Sequence, residues 1–216
     1  MRKPWVQVAI DVQEIETAKR LARMAVELGA DWVEAGTPLI VFEGIKSIGS
    51  LVRACGGTPV VADFKAQDGV AKYFLEARRQ GASAAVILGT VADGSIKAAV
   101  ATKKSSGIEV IADMYSIKKE HLAQRAKELE SLGVDYLMLH LGFDEARDDP
   151  SKHALDGLDE LLRAVSLPVG VGTFALEEAI EAVRKGASWI VQGEPIVSGP
   201  DASARLAEFI AAVKAA

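Results

Sequence analysis

Gly29-Ala30-Asp31-Trp32-Val33-Glu34-Ala35-Gly36 decides the fold of this chain. A glycine closes a helix, a small residue follows, and a short apolar run rich in β-formers leads to a second glycine. The same arrangement returns at Gly81-Ala82 to Gly89, Gly133-Val134 to Gly142 and Gly186-Ala187 to Gly193, with first glycines 52, 52 and 53 residues apart. Each first glycine suits the left-handed residue that ends a helix, a conformation only glycine adopts cheaply. Between these segments lie four more β-rich runs, Trp5 to Asp11, Thr58 to Asp63, Ile108 to Asp113 and Leu167 to Val171. Helical stretches separate them; in the first, Ile15, Ala18, Leu21, Ala22, Ala25 and Leu28 recur at helical spacing. Four βαβα repeats predict eight strands and eight helices. Right-handed crossovers make such a sheet parallel, and eight units close it into an α/β fold, a single (β/α)₈ TIM barrel over residues 1–216. An open, doubly wound sheet is the competing architecture, and the even spacing without a second domain argues against it.

Composition agrees. Half of the 216 residues are hydrophobic but only 6% are aromatic, which suits helices packed on strands better than a β-sandwich. A net charge of −5 with no long basic run gives a nucleic-acid partner little support. Cys55 is the only cysteine, so no internal disulfide forms; its expected place is a small buried or turn position. Met1-Arg2-Lys3-Pro4 leads straight into apolar alternation, without the apolar core or cleavage site of a secretory leader. The longest apolar run, near Ala84 to Ala92, is broken by Gly89 and too short to span a bilayer. The expectation is a cytoplasmic protein with no membrane partner.

Active sites of such barrels sit where strands end and βα loops begin. Strand side chains alternate faces, so Gln7, Ala9 and Asp11 are expected to point to the barrel axis, as are Asp63 with Lys65 and Met138 with His140. Asp11, Glu34, Asp63, Lys65, Asp113 and His140 then converge from five strand ends. One such residue is an ordinary cap; five strands ending this way are not. Carboxylates packed so closely need a cation or a shared proton. Lys65 supplies one charge, and Glu34 with Asp63, on neighbouring strands, could hold an octahedral Mg²⁺ that keeps several waters. Oxygen ligands would accept Mn²⁺ equally. His140 is the imidazole placed to shuttle protons, whereas His121 and His153 read as solvated.

These residues resemble the orotidine-5′-phosphate decarboxylase suprafamily, through the motif D-x-K-x-x-D at Asp63, Lys65 and Asp68. Within it the chain is most similar to the 3-hexulose-6-phosphate synthases. Val6-Gln7-Val8-Ala9-Ile10-Asp11, Glu34-Ala35-Gly36-Thr37-Pro38-Leu39-Ile40, Leu88-Gly89 with Ala92-Asp93, and His140-Leu141-Gly142-Phe143-Asp144 carry the similarity over nearly the whole chain. The resemblance implies a lyase condensing formaldehyde with D-ribulose 5-phosphate through a metal-stabilised enediolate. It implies Glu34 and Asp63 as Mg²⁺ ligands, Lys65, Asp68 and His140 as catalytic residues, and Asp11 and Asp113 in the substrate and metal network. It also implies a homodimer with shared active sites, Asp68 reaching into the neighbouring subunit; the alternative for Asp68 is a helix N-cap within its own chain.

Relatives usually cradle a phosphate in glycine-rich loops after the seventh and eighth strands. Here those places read Gly172-Thr173-Phe174 and Gly193-Glu194-Pro195, the expected substrate-binding residues being Gly172, Thr173, Gly193 and Glu194. A carboxylate about 5 Å from a phosphate costs roughly 3 kcal/mol per pair of charges at an effective dielectric near 20. Either Glu194 turns to solvent while Gly193 and the Thr173 hydroxyl donate, or the substrate's distal group is not a phosphate. The run after Asp68, Gly69-Val70-Ala71, is altered too. The other readings are a 3-keto-L-gulonate-6-phosphate decarboxylase, a metal-free orotidine-5′-phosphate decarboxylase, and a barrel that binds without turnover.

Overall fold

A computed structural model describes residues 3–216; Met1 and Arg2, the start of the N-terminus read above, lie outside them. Eight strands run in chain order: β1 (Trp5–Ile10), β2 (Trp32–Ala35), β3 (Val60–Ala66), β4 (Ala84–Leu88), β5 (Glu109–Asp113), β6 (Tyr136–Leu139), β7 (Val169–Gly172) and β8 (Trp189–Gln192). Each pairs in parallel with the next and β8 returns to β1, closing the barrel. Helices α1 (Ile15–Glu27), α3 (Lys46–Ala54), α4 (Val70–Arg79), α5 (Asp93–Ser106), α6 (Lys119–Leu132), α8 (Leu158–Ala164), α9 (Leu176–Lys185) and α10 (Ala202–Ala215) form the outer ring.

The repeat glycines behave as their spacing predicts. Gly29, Gly81, Gly133 and Gly186 have φ of 94°, 97°, 97° and 112°, each ending a helix just before a strand. Eight helices were expected and the described residues hold ten. The extra two, α2 (Thr37–Glu43) and α7 (Phe143–Asp148), are short and sit in βα loops. Pro38 in the first turn of α2 suits a helix start, where its missing N–H costs nothing. In α7, Asp144 and Glu145 in the first turn and Arg147 in the last complement the helix dipole.

The core has two layers. Outward-facing strand residues such as Val6, Val8 and Ile10 pack under the helices, Cys55 among them at the end of α3. Inside the barrel, Ala9, Val61, Ala84, Val86, Ile111, Met138, Trp189 and Val191 form a second cluster. Gly170 makes room there, since a Cβ on it would fall 2.1 Å from the Trp189 indole. At the strands' N-terminal ends Trp5, Trp32, Tyr136 and Trp189 plug the barrel, with Trp5 and Trp189 stacked at 5.3 Å and planes 2° apart. Among the described residues no helix is long and apolar enough to cross a membrane.

Candidate active site

A cavity of about 580 Å³ opens at the strands' C-terminal ends. Asp11, Glu34, Asp63, Lys65, His140, Gly172, Thr173, Gly193 and Glu194 all line it. Asp68 and Asp113 do not.

Lys65 arrives there by a detour. Its φ is 43°, a left-handed value that costs a side-chain-bearing residue of order 1–3 kcal/mol. The β3–β4 register slips between Asp63 and Ala66, so the strand bulges at Phe64-Lys65. A bulge re-aims a side chain, and here it folds Lys65 back onto Asp63. The Lys65 N–H donates to Asp63 Oδ1 at 3.1 Å, and its ammonium donates to Asp63 Oδ2. Thr37, from the start of α2, donates to the same Oδ2 at 2.9 Å. Burial alone would lower the Lys65 pKa, but the charges of Asp63, Asp113 and Glu34 outweigh it and raise it. Lys65 therefore stays an ammonium.

Glu34 is buried, and Gln7 donates to its Oε2 from the adjacent strand. Burial first, then the charges of Asp63 and Asp11, push its carboxyl well above the usual range, while Lys65 and Gln7 pull it back. Asp11 is raised by burial and by Asp63, and lowered by Lys65 and His140. Its carboxylate fits only because two glycines flank it: a Cβ on Gly36 would come within 2.2 Å of Oδ1, and one on Gly193 within 3.2 Å of Oδ2.

Asp11, Glu34 and Asp63 line one wall of the cavity, and the Asp63 charge helps to raise both Glu34 and Asp11. Among the described residues no three His, Cys, Asp or Glu side chains form a group that could hold a metal ion by themselves. Mg²⁺ needs none, since one or two carboxylates with waters and substrate oxygens complete its octahedron. Glu34 and Asp63 fit that role.

Asp113, expected in the substrate and metal network, is fully buried behind His140 instead. Its Oδ2 lies 2.9 Å from His140 Nδ1, and its Oδ1 accepts the Tyr115 N–H at 2.9 Å. A carboxylate at Nδ1 holds the proton there and leaves Nε2 as the base. Burial pushes the His140 pKa down, but the charge and hydrogen bond of Asp113 prevail and raise it above the ordinary 6.5. The Tyr115 ring packs against the imidazole, 5.6 Å between centroids.

At the far rim the Thr173 hydroxyl, expected to reach substrate, instead donates to Gln192 Oε1 at 3.1 Å, and its N–H to Val191 O at 3.0 Å. The N–H groups of Phe174 and Ala175 both donate to Glu178, which caps α9. Glu194 faces the cavity mouth, and Ser198 donates to its Oε2. His121 and His153 are exposed, as expected. Asp68 is exposed after β3 and is not the cap of α4, a position Gly69 holds. Residues unforeseen at the site are Thr37, Tyr115 and the Gln7–Glu34 pairing. Thr37 had a signal, its place three residues beyond Glu34; for Tyr115 the only hint was its nearness to Asp113.

A family model described as orotidine 5′-phosphate decarboxylase / HUMPS family matches residues 4–209. The chain is similar to a 3-hexulose-6-phosphate synthase of Staphylococcus epidermidis, 37% identical over 153 residues that cover 71% of this chain and 70% of that one. A Bacillus subtilis protein of the same name is 29% identical over 197 residues, 91% of this chain and 92% of its own. A crystal structure of 3-hexulose-6-phosphate synthase superposes with a TM-score of 0.88 at 31% identity, covering 96% of this chain and 99% of that one.

Proposed function

Because this chain belongs to the orotidine 5′-phosphate decarboxylase / HUMPS family, we propose that it is an aldehyde-lyase of the 3-hexulose-6-phosphate synthase type. It condenses formaldehyde with D-ribulose 5-phosphate, a small sugar phosphate, to give D-arabino-hex-3-ulose 6-phosphate. The observation that supports this best is that Lys65, held on Asp63, and His140, backed by the buried Asp113, line one cavity.

His140 Nε2 takes a proton from C1 of the ketose, its imidazole oriented by Asp113. The Lys65 ammonium sits beside the oxygens where enediolate charge develops, and such stabilisation is usually the largest catalytic contribution. Mg²⁺ (or Mn²⁺), held by Glu34 and Asp63, would add divalent positive charge at those oxygens. C1 then bonds to the formaldehyde carbon, and His140 returns the proton to the new alkoxide. Asp11, pinned between Gly36 and Gly193, accepts from substrate hydroxyls. Carbon-13 formaldehyde with D-ribulose 5-phosphate and Mg²⁺ gives a new labelled ketohexose resonance. Its absence, with carbon dioxide released from 3-keto-L-gulonate 6-phosphate, assigns the protein to the decarboxylases instead.

We further propose a homodimer whose sites are shared through Asp68. Asp68 is exposed and off its own cavity, while Val41 and Phe42 on α2 are 72% and 63% exposed, with Tyr73 and Leu75 on α4 also uncovered. Lys65→Ala and Asp68→Ala are then each inactive alone. Refolded together they regain up to about a quarter of wild-type activity, since half the dimers are mixed and each mixed dimer has one intact site. No recovery on mixing rules out sharing. Residues 1–216 are read as one catalytic domain, cytoplasmic, with no nucleic-acid or membrane partner, in keeping with the net charge of −5.

A further inference from the structure

Among the described residues, five side chains on the cavity wall carry a hydrogen-bond donor: Thr37, Lys65, Tyr115, His140 and Thr173. Four of them are committed. The Lys65 ammonium and the Thr37 hydroxyl both donate to Asp63. The Thr173 hydroxyl donates to Gln192, and His140 meets Asp113 through Nδ1 and keeps Nε2 as the base. The Tyr115 hydroxyl is different, with no partner among the described residues. Its ring is nonetheless held in place. The Tyr115 N–H donates to Asp113 Oδ1 at 2.9 Å, so the carboxylate that orients His140 also fixes this residue. The ring leans on the imidazole, 5.6 Å between centroids and 44° between planes. A Cβ on Gly142 would fall 2.3 Å from Tyr115 Cε2 and 3.2 Å from Cζ, the carbon that bears the hydroxyl. Only glycine at 142 leaves the phenol end of the ring where it is.

Carbon–carbon bond formation calls for a second donor. Lys65 serves the enediolate oxygens, but the oxygen of formaldehyde also gains negative charge as its carbonyl opens. That oxygen must lie within reach of His140 Nε2, because the proton returns to it, and the Tyr115 ring packs on that imidazole. We propose that Tyr115 is a further catalytic residue, its hydroxyl donating a hydrogen bond to the formaldehyde oxygen. This rests on the aldol addition proposed above. The electron pair freed at C1 forms the bond to the formaldehyde carbon, and the carbonyl π pair moves onto oxygen. The proton that left C1 for His140 then neutralises the alkoxide. Tyr115 stays protonated throughout, so no further reactant enters. A donor placed before the charge develops needs no reorganisation during the step, and it acts on the rate more than on ground-state binding.

Tyr115→Phe separates this role from packing, because the ring, its contact with His140 and its place on Gly142 all remain. Two rates are followed in the Mg²⁺-containing protein. Without formaldehyde, exchange of the C1 proton of D-ribulose 5-phosphate with deuterium oxide reports on His140, Lys65 and the metal site. With carbon-13 formaldehyde, the ketohexose signal reports the whole addition. The variant is expected to retain C1 exchange within about threefold of wild type while kcat for condensation falls about a hundredfold, the scale of losing one oxyanion donor. Condensation within about threefold of wild type overturns the proposal. So does a parallel loss of exchange and condensation, which marks Tyr115 as a support for His140 and nothing more. A wild type that forms no ketohexose overturns the proposed function, and the Tyr115 assignment falls with it. A condensing wild type beside an unimpaired variant removes the Tyr115 assignment alone.

Discussion

Lys65→Ala lowers kcat for the condensation by about a thousandfold or more, with the barrel still folded. Removing a single preorganised donor to a developing oxyanion costs about 10²–10³ in rate. Here the same ammonium also fixes a carboxylate. Asp63 is held by Thr37 and by both the N–H and the side chain of Lys65. Without the lysine, Asp63 loses its counter-charge beside Glu34, whose carboxyl Lys65 normally helps to keep ionised. Charge stabilisation and ligand geometry therefore fail together. The stability lost is less than the roughly 3–5 kcal/mol of a broken, fully buried pair, because the Lys65 side chain is 29% exposed. Lys65→Arg is not a rescue, since a planar guanidinium cannot replace a compact ammonium in this bent strand. Steady-state kinetics with a near-ultraviolet circular dichroism check decide it. A rate within tenfold of wild type sinks the enzymatic role of Lys65 and favours a barrel that binds without turnover.

Asp113→Asn comes second, with kcat falling roughly 10³–10⁴-fold, the scale seen when an orienting carboxylate behind a histidine becomes an amide. The Tyr115 N–H already occupies Asp113 Oδ1. An asparagine keeps its oxygen there and turns its NH₂ toward His140 Nδ1, which forces the ring proton onto Nε2. The base then faces the cavity as a donor. The pH dependence follows from the same pair. In wild type Asp113 overcomes burial and raises the His140 pKa, so the active, neutral imidazole is reached only above the ordinary 6.5. In Asp113→Asn burial remains and the counter-charge is gone, so the midpoint moves below 6.5. Nuclear magnetic resonance of the His140 ring protons without metal follows both midpoints. Stability has the matching sign: the pair's contribution is complete below the unfolded-state pKa and disappears as pH rises through the raised folded value. The variant consequently loses more stability at pH 5 than at pH 8; an unmoved midpoint contradicts the assignment.

Much of this architecture is legible in the sequence because two periods are. The spacing of Gly29, Gly81, Gly133 and Gly186 counts βαβα units, and strand parity sends Ala9, Val61 and Met138 into the inner layer. Parity also brings Asp11, Asp63 and His140 to the cavity. It says nothing of depth, which is why Asp113 was read as a binding residue although it lies under His140. Nor does it survive a bulge: Lys65 reaches the cavity only through a positive φ. The α2 and α7 helices escaped the repeat because they lie in loops, where insertions leave the strand count unchanged. Thr173 was expected to donate to substrate because its hydroxyl is suited to it; only the fold reveals Gln192 waiting beside it.

The aromatic plug has an optical consequence. All three tryptophans of the chain, Trp5, Trp32 and Trp189, belong to it. The parallel Trp5 and Trp189 rings form a coupled pair of chromophores, and the inner layer of Ala9, Val61, Ile111 and Met138 lies between them and the mouth. Ultraviolet emission and the exciton bands of this protein thus gauge whether the barrel is shut at its base, and stay nearly blind to what enters at the top.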